Sequence, residues 1–526
     1  MISPARAPVP NPPADLRQPE STAGAIDVPL PAPRGAAAPS TRSTRVARNV
    51  AMVLISQLAI WVAGSGLAIV LPRYLGETNI GRLTFATSFT SLFTIFALFG
   101  SERYITRAIA RDPARASHVA FNALVTRVPF AAASVLVIVA FVLIFDYPRT
   151  TREVVYLFAA SMCVTVIGNT CTAALQGLER MTLTSTAAIV EKVLSTSLGI
   201  GAIVLAGEGM ITYAIILLAA NAVGVGIVMV YFLQIIGISG RIDLKECRAL
   251  LRGGFPFLIW GLSLVIYGTI DITMLSLMTN DTVVGWYGTS YRFIGVATFF
   301  PFSVTMALLP TISNSTREQS RALVQRCLNL VMFVSIPTAV FFLIGAHALI
   351  TFLHYPAGFS NSVILLRILS VHIPLTAFTM IAGTVLIAYD KEGPRTKAAI
   401  AAAIFNPLIN LAAIPYFQHM NGNGAIGAAI VSVVVEIFMV IVMLVLLERG
   451  TFGRSNVFGM LRSLSAGVPM AAVMILVSPY GLIPMMVLGG LTFVVAALAV
   501  RAITIDEILE MRSIIRPRSV DEDAVA

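Results

Sequence analysis

Fourteen apolar stretches, parted by short polar gaps, take up nearly all of this sequence from Asn49 to Ile503. Each is long enough to cross a bilayer, since about 20 residues at ~1.5 Å rise span the ~30 Å hydrocarbon layer. Backbone groups in lipid must be satisfied within the segment, so helices are expected. Runs this long and this uniformly apolar do not fit barrel strands. The fold expected is an all-α polytopic membrane protein with spans near 49–71, 80–100, 118–145, 153–175, 182–206, 210–234, 255–279, 285–309, 323–347, 361–388, 397–416, 424–447, 463–479 and 482–503. A chain spent on crossings leaves little for a soluble catalytic domain, which points to movement of something across the membrane.

Only 12% of the 526 residues are charged, against roughly 25% in soluble domains. The net charge of +10 is almost all arginine, the lysines being Lys192, Lys245, Lys391 and Lys397. A basic balance alone would suit nucleic acid, but its placement is that of an orientation signal. One set of loops holds Arg42, Arg45 and Arg48, then Arg103, Arg107, Arg111 and Arg115, then Arg180, and so on to Arg512 and Arg516. The opposite set holds little beyond Arg73, Arg149 and Arg152. Both termini are therefore expected in the cytoplasm.

Residues 1–45, rich in Pro, Ala, Ser and Thr, bury too little to offset their ordering entropy and read as a disordered cytoplasmic tail. Residues 504–526 read as a second cytoplasmic tail. The loop 235–253 alternates Ile242, Leu244, Cys247, Leu250 and Leu251 with Asp243, Lys245, Glu246, Arg248 and Arg252, as an amphipathic helix at the interface would. It falls where two six-span halves would join, 46–234 and 254–447, leaving 448–503 as two additional spans. A weak repeat supports the joint. Thr78-Asn79-Ile80-Gly81-Arg82-Leu83 opens span two as Thr282-Val283-Val284-Gly285-Trp286-Tyr287 opens span eight. Leu175 to Arg180 closes span four as Ala388 to Lys391 closes span ten. Halves entering with one orientation form a parallel repeat about an axis along the membrane normal.

No lysine follows a glycine, so no P-loop can cradle ATP phosphates. Neither H-E-x-x-H nor a G-x-S-x-G elbow occurs. Cys163, Cys171, Cys247 and Cys327 form no C-x-x-C and read as small apolar residues. The sequence therefore implies no enzyme and no cofactor; uphill transport would draw on H+, Na+ or a later step.

Ionisable groups inside spans cost roughly 2.5–3.5 kcal/mol on insertion scales and need a reason. Asp271, Arg292 and Arg367 fall at comparable depth toward the outer side; Glu436 is near the middle of its span, and Arg73 and Arg82 flank the first outer loop. Arg82, Arg292 and Arg367 are expected to line a hydrated cationic cavity between the halves, with Asp271 pairing one of them. Guanidinium forks bind phosphate bidentately. The plainer alternative is helix–helix glue, or arginines reaching out to the interface. Glu191 and Lys192 point about 100° apart and should not pair; a cavity or a structural role is open to each. Asn406 and Asn410 share a face beside Pro407, suited to lining a cavity or to re-satisfying the proline break. Gly64, Gly66, Gly199, Gly201, Gly224 and Gly226 read as close-packing sites, and Pro256, Pro301, Pro337, Pro374 and Pro407 as candidate kinks.

Several of these segments resemble one family. Leu71-Pro72-Arg73-Tyr74-Leu75-Gly76 followed by Ile80-Gly81 is similar to the opening of bacterial polysaccharide flippases, the O-antigen and exopolysaccharide exporters of the multidrug/oligosaccharidyl-lipid/polysaccharide superfamily. Ala174 to Arg180 resembles the family's loop after span four. Val284-Gly285-Trp286-Tyr287 with Tyr291-Arg292, then Leu309 to Ser313, resemble its span eight; Asn406 to Leu411 and Gly424 to Ala429 resemble its turn between spans eleven and twelve. The resemblance covers roughly 46–450 and implies two six-helix bundles around a cavity with alternating access, in a bacterial inner membrane. It implies as substrate an undecaprenyl-pyrophosphate-linked oligosaccharide, turned from the cytoplasmic to the outer leaflet, with membrane lipid, a glycan polymerase and a chain-length regulator as partners and no nucleic acid. Rival readings are a drug/cation antiporter of the same superfamily, for which basic deep charges are unfavourable, and a membrane glycan polymerase or ligase, for which the outer loops are short.

Overall fold

The computed structural model describes the backbone from Pro39 to Ala502, Ser239 and Asn314 excepted, and side chains from Ala63 onward, Leu67 and Ala68 excepted. The chain falls into two compact units, Met1–Arg48 and Asn49–Ala526. Most of the expected tails, 1–45 and 504–526, lies outside the described residues; 39–45 are helical. Apart from the start of α1, the structure below belongs to the second unit.

The helices are α1 (Pro39–Leu98), α2 (Glu102–Arg111), α3 (Ala116–Ile144), α4 (Arg149–Gly177), α5 (Met181–Ile200), α6 (Met210–Ile235), α7 (Leu244–Met278), α8 (Asp281–Ala297), α9 (Phe299–Ser313), α10 (Arg317–Phe352), α11 (Ser360–Ser370), α12 (His372–Ala388), α13 (Glu392–Asn421), α14 (Ala425–Leu446), α15 (Arg454–Val477) and α16 (Leu482–Ala499). The fold is all-helical among the described residues, and the chain is a multi-pass membrane protein. Eleven helical stretches there are long and apolar enough to cross a bilayer, or thirteen with two bent pairs counted as spans. The sequence led us to expect fourteen. The first of these, 49–71, lies largely outside the described side chains. At 60 residues α1 would run about 90 Å. Gly76 breaks it at φ 75°, ψ 170°, a conformation that only glycine adopts readily, between the spans expected at 49–71 and 80–100.

Two further breaks have proline as their cause. α8 and α9 meet at 43° three residues before Pro301, and α11 and α12 at 42° three residues before Pro374. Each proline lacks the N–H for the turn before it, and its ring crowds that turn's carbonyl. Pro256, Pro337 and Pro407 instead sit inside continuous helices. The linker expected as a separate helix over 235–253 also differs. Helix α6 ends at Ile235, and Asp243 caps α7 by accepting from the Lys245 N–H at 2.8 Å. Leu244 to Gly253 are thus the first turns of a 35-residue helix, with Leu250 buried.

Helices α2–α6 pack chiefly on one another, as do α7–α14, while α15 and α16 pack together and onto α10. The repeat shows in hydrogen bonds. Arg115 pairs with Glu246, and Arg317 with Glu448; the partners stand 131 residues apart in both cases. Helices α3 and α10 end alike, with Asp146 and His354 at φ 46° and 55° and the following Tyr147 and Tyr355 N–H groups closing onto Val142 and Ile350. So do α4 and α12, through Glu179 and Asp390 at φ 60° and 56°.

Candidate functional site

Of the polar side chains expected to share one cavity, six fall in two places and the others lie elsewhere. The first is the contact of α1 with α8. A side chain at Gly81 would run into the Asp281 carbonyl oxygen, and one at Gly285 into that of Glu77, so the two helices touch through bare backbone. Beside the glycines, Arg82 Nε donates to Asp281 Oδ2 at 2.9 Å, with both side chains half-buried. Arg292, eleven residues into α8 from Asp281 and so about 16 Å along it, sends Nη2 toward Thr84 Oγ1 of α1 at 3.5 Å. Its Nη1 is buried and meets no acceptor among the described residues. Tyr213 and Tyr355 lie within electrostatic reach of the same guanidinium.

The second place is a buried polar network joining α7, α8, α12, α13 and α14. Asp271, 3% exposed, accepts hydrogen bonds from the Tyr287 hydroxyl (2.9 Å), the Ser432 hydroxyl (2.9 Å) and Asn410 Nδ2 (2.8 Å). Asn410 Nδ2 also donates to Asn406 Oδ1 at 2.6 Å, and Asn406 donates to the Tyr267 carbonyl at 3.3 Å. One turn along α14 from Ser432, Glu436 accepts from the Tyr267 hydroxyl and from Thr379 Oγ1, and His372 Nδ1 lies 4.0 Å away. Spacing of four residues sets the arrangement: Tyr267 and Asp271, Asn406 and Asn410, Ser432 and Glu436 each share a helix face.

The expectation that Asp271 pairs an arginine is therefore corrected. A carboxylate enclosed on all sides took neutral donors from its own half, and neither it nor Glu436 meets an arginine or lysine among the described residues. Arg82 found its carboxylate in Asp281 instead, at the mouth of α8. Arg367 stands apart: it is exposed on α11, on a stripe with Ile364 and Val371, and meets no acceptor among the described residues. Arg73 is exposed and lies over the Tyr74 ring at 5.6 Å. Glu191 and Lys192 diverge as expected, Glu191 packing on Gly224 of α6 and Lys192 on Gly64 of α1. Gly66, Gly201 and Gly226 have no neighbour among the described residues where a side chain would stand, so no close packing is seen there.

A model of the polysaccharide biosynthesis protein family matches residues 46–316, just over half of the chain. The chain belongs to this family. No curated protein sequence is significantly similar to it. Among solved structures this polysaccharide biosynthesis protein is similar to the lipid II flippase MurJ in an inward closed conformation, at 14% identity over 88% of this chain and 99% of that one, with a TM-score of 0.72. It is also similar to an inward-facing MATE multidrug resistance transporter of the MOP superfamily, at 15% identity over 76% and 93%, TM-score 0.57. A MATE transporter of Vibrio cholerae gives 17%, 78% and 100%, and 0.51. Identities this low carry the fold alone.

Sequence reasoning missed several residues of this family member. Asp281 reads as a loop carboxylate, and Tyr267, Tyr287, Ser432 and Thr379 as ordinary span residues. Arg127 was visible as a lone arginine in an apolar run. It is wholly buried in α3, donating from Nε to Ser101 Oγ at 3.1 Å and from Nη1 to Thr170 Oγ1 at 2.6 Å.

Proposed function

We propose that this protein turns a polyprenyl-pyrophosphate-linked oligosaccharide from the cytoplasmic to the outer leaflet of a bacterial inner membrane, for surface polysaccharide of the O-antigen or exopolysaccharide kind. Two six-helix halves would alternate access, with α15 and α16 an addition outside the repeat and both termini in the cytoplasm. One observation carries the reading: the Arg292 guanidinium at the boundary of α1 and α8, with a buried nitrogen that meets no acceptor among the described residues. A guanidinium in that state suits a phosphate oxygen, which it binds with two parallel hydrogen bonds. Lys192 adds positive charge from α5, while Arg82 is held by Asp281 and Arg367 stands apart on α11. The sugar would pass between the halves while the polyprenyl chain stays in lipid. Family membership and the MurJ-like fold support the same substrate class. A glycan polymerase and a chain-length regulator would act on the product.

The coupling reading rests on Asp271 and Glu436. A carboxylate enclosed without a counter-charge is costly, so each suits a proton or Na+ that loads and unloads during the cycle. The same two groups, with the MATE-like fold, favour a cation-coupled drug antiporter as the second reading. Depleting the protein separates the two. Lipid-linked oligosaccharide should accumulate on the cytoplasmic leaflet, and the wild-type gene should clear it. Normal surface glycan together with raised drug sensitivity would reject the flippase reading.

A further inference from the structure

The contact between α1 and α8 sits on the repeat's own axis. Thr78 Oγ1 and Thr282 Oγ1 are hydrogen-bonded at 3.0 Å, and the two residues are 204 positions apart. The same offset of 204 relates Glu77 to Asp281 and Gly81 to Gly285, whose backbones meet reciprocally. A two-fold relation passing between the threonines requires this: whatever Gly81 does to Asp281, Gly285 does to Glu77. Gly288, one turn deeper, leaves room for the Thr84 side chain, the residue 204 positions before it. Among the described residues one ion pair crosses this seam, Arg82 to Asp281 at 2.9 Å, and Thr151 Oγ1 approaches the same carboxylate oxygen at 3.4 Å.

We propose that this seam is the outer gate of the transporter: glycines let the two helices close to backbone contact, and the Arg82–Asp281 pair latches them. The assignment of the seam to the outer face rests on the orientation and alternating access proposed above. Alternating access requires the halves to part at one end at a time, and here the parting surface is small, self-matched and held by one charge pair. At the far end of α1 a second close approach, of Gly100 to Gly254 and Leu258 of α7, lies just after the connection 236–243 that ties the halves covalently. It can serve as the pivot while the seam opens. Arg82 is then a gate residue whose charge is committed to Asp281 in the closed state.

The test reads gate opening and not transport. In a variant with Cys163, Cys171, Cys247 and Cys327 replaced by serine, Thr78→Cys with Thr282→Cys should form a disulfide on oxidation, and the cross-linked protein should not turn over. Thr282→Cys alone should react slowly with a membrane-impermeant maleimide added outside. Asp281→Asn or Gly81→Ala should raise that rate by at least roughly fivefold. Gly66→Ala, a glycine of the same helix with open space around it, should leave it unchanged. The exchange Arg82→Asp with Asp281→Arg should restore slow labelling, which separates a broken latch from a misfolded protein. Equal labelling in latched and unlatched proteins, or full turnover by the cross-linked one, overturns the proposal. Labelling from the cytoplasmic face alone overturns its outer placement. The expected labelling pattern in a protein that moves no lipid-linked glycan would support the latch and count against the proposed substrate.

Discussion

Replacing Asp271 discriminates sharply between a scaffold and a working carboxylate. Asp271→Ala removes the acceptor for three donors, Tyr287, Ser432 and Asn410, all buried with it. Side-chain hydrogen bonds between membrane helices average about 0.6 kcal/mol and reach about 1.7. Three of them place the loss at roughly 2–5 kcal/mol. Asp271→Asn is nearly isosteric. Its carboxamide oxygen can still accept from Tyr287 and Ser432, and its NH2 group can turn to Asn410 Oδ1, which is buried without a partner among the described residues. That variant should lose about 1 kcal/mol or less. Thermal unfolding of the purified protein, followed by intrinsic fluorescence, should therefore rank wild type close to Asp271→Asn and both well above Asp271→Ala. Transport should separate the pair that stability does not: Asp271→Asn cannot release a proton or neutralise a cation, so it should fold normally and fail to transport. An alanine variant as stable as wild type would refute the network, and an asparagine variant with full transport would refute the coupling role.

Other substitutions follow from the same geometry. Arg292→Gln should reach normal protein levels and reproduce the lipid-linked oligosaccharide accumulation of a null strain, read by extraction and chromatography; normal surface glycan in that strain would remove Arg292 from the mechanism. The Arg317 hydrogen bond holds the Glu448 carboxyl below the usual carboxylate range. Its contribution is present above the ordinary glutamate pKa and is lost as pH falls through the lowered one. The difference in thermal midpoint between wild type and Glu448→Gln should thus be small at neutral pH and vanish in acid; a difference that grows on acidification would contradict the pairing. Gly427→Ala places a methyl against the Ala413 carbonyl of α13 and should cost about 1–3 kcal/mol. Gly393→Ala, with open space around it, should be neutral or stabilising in the same unfolding assay.

Hydropathy located the helices because lipid allows nothing else, and the expected spans 118–145, 210–234 and 424–447 fall within a few residues of α3, α6 and α14. The breaks were half legible. The five prolines read as candidate kinks look alike in sequence, yet among them only Pro301 and Pro374 follow a break, because packing decides whether a bent turn can be re-satisfied. The repeat was visible at Thr78 and Thr282, where the residues themselves recur. It was hidden at Arg115–Glu246 and Arg317–Glu448, since one arginine among many in basic loops carries no mark of its partner. The matched Tyr147-Pro148 and Tyr355-Pro356 were there to be read and were overlooked. At the site, depth singled out Asp271, Glu436, Arg292 and the two asparagines as polar groups that need a reason to be there. It did not name the partners. Tyrosine, serine and threonine are common on buried helix faces, and only the fold tells a hydrogen-bonded one from a packed one. Asp281 escaped because a carboxylate at a helix start already has a local reason to be there, as a favourable charge in the first turn.

The most direct test is transbilayer movement itself. Purified protein in vesicles, given a polyprenyl-pyrophosphate-linked oligosaccharide in one leaflet, should speed its appearance in the other, as read by an impermeant sugar-modifying enzyme outside, and Arg292→Gln should return the rate to that of empty vesicles. Movement no faster than in empty vesicles, or an Arg292→Gln protein as fast as wild type, would contradict the account.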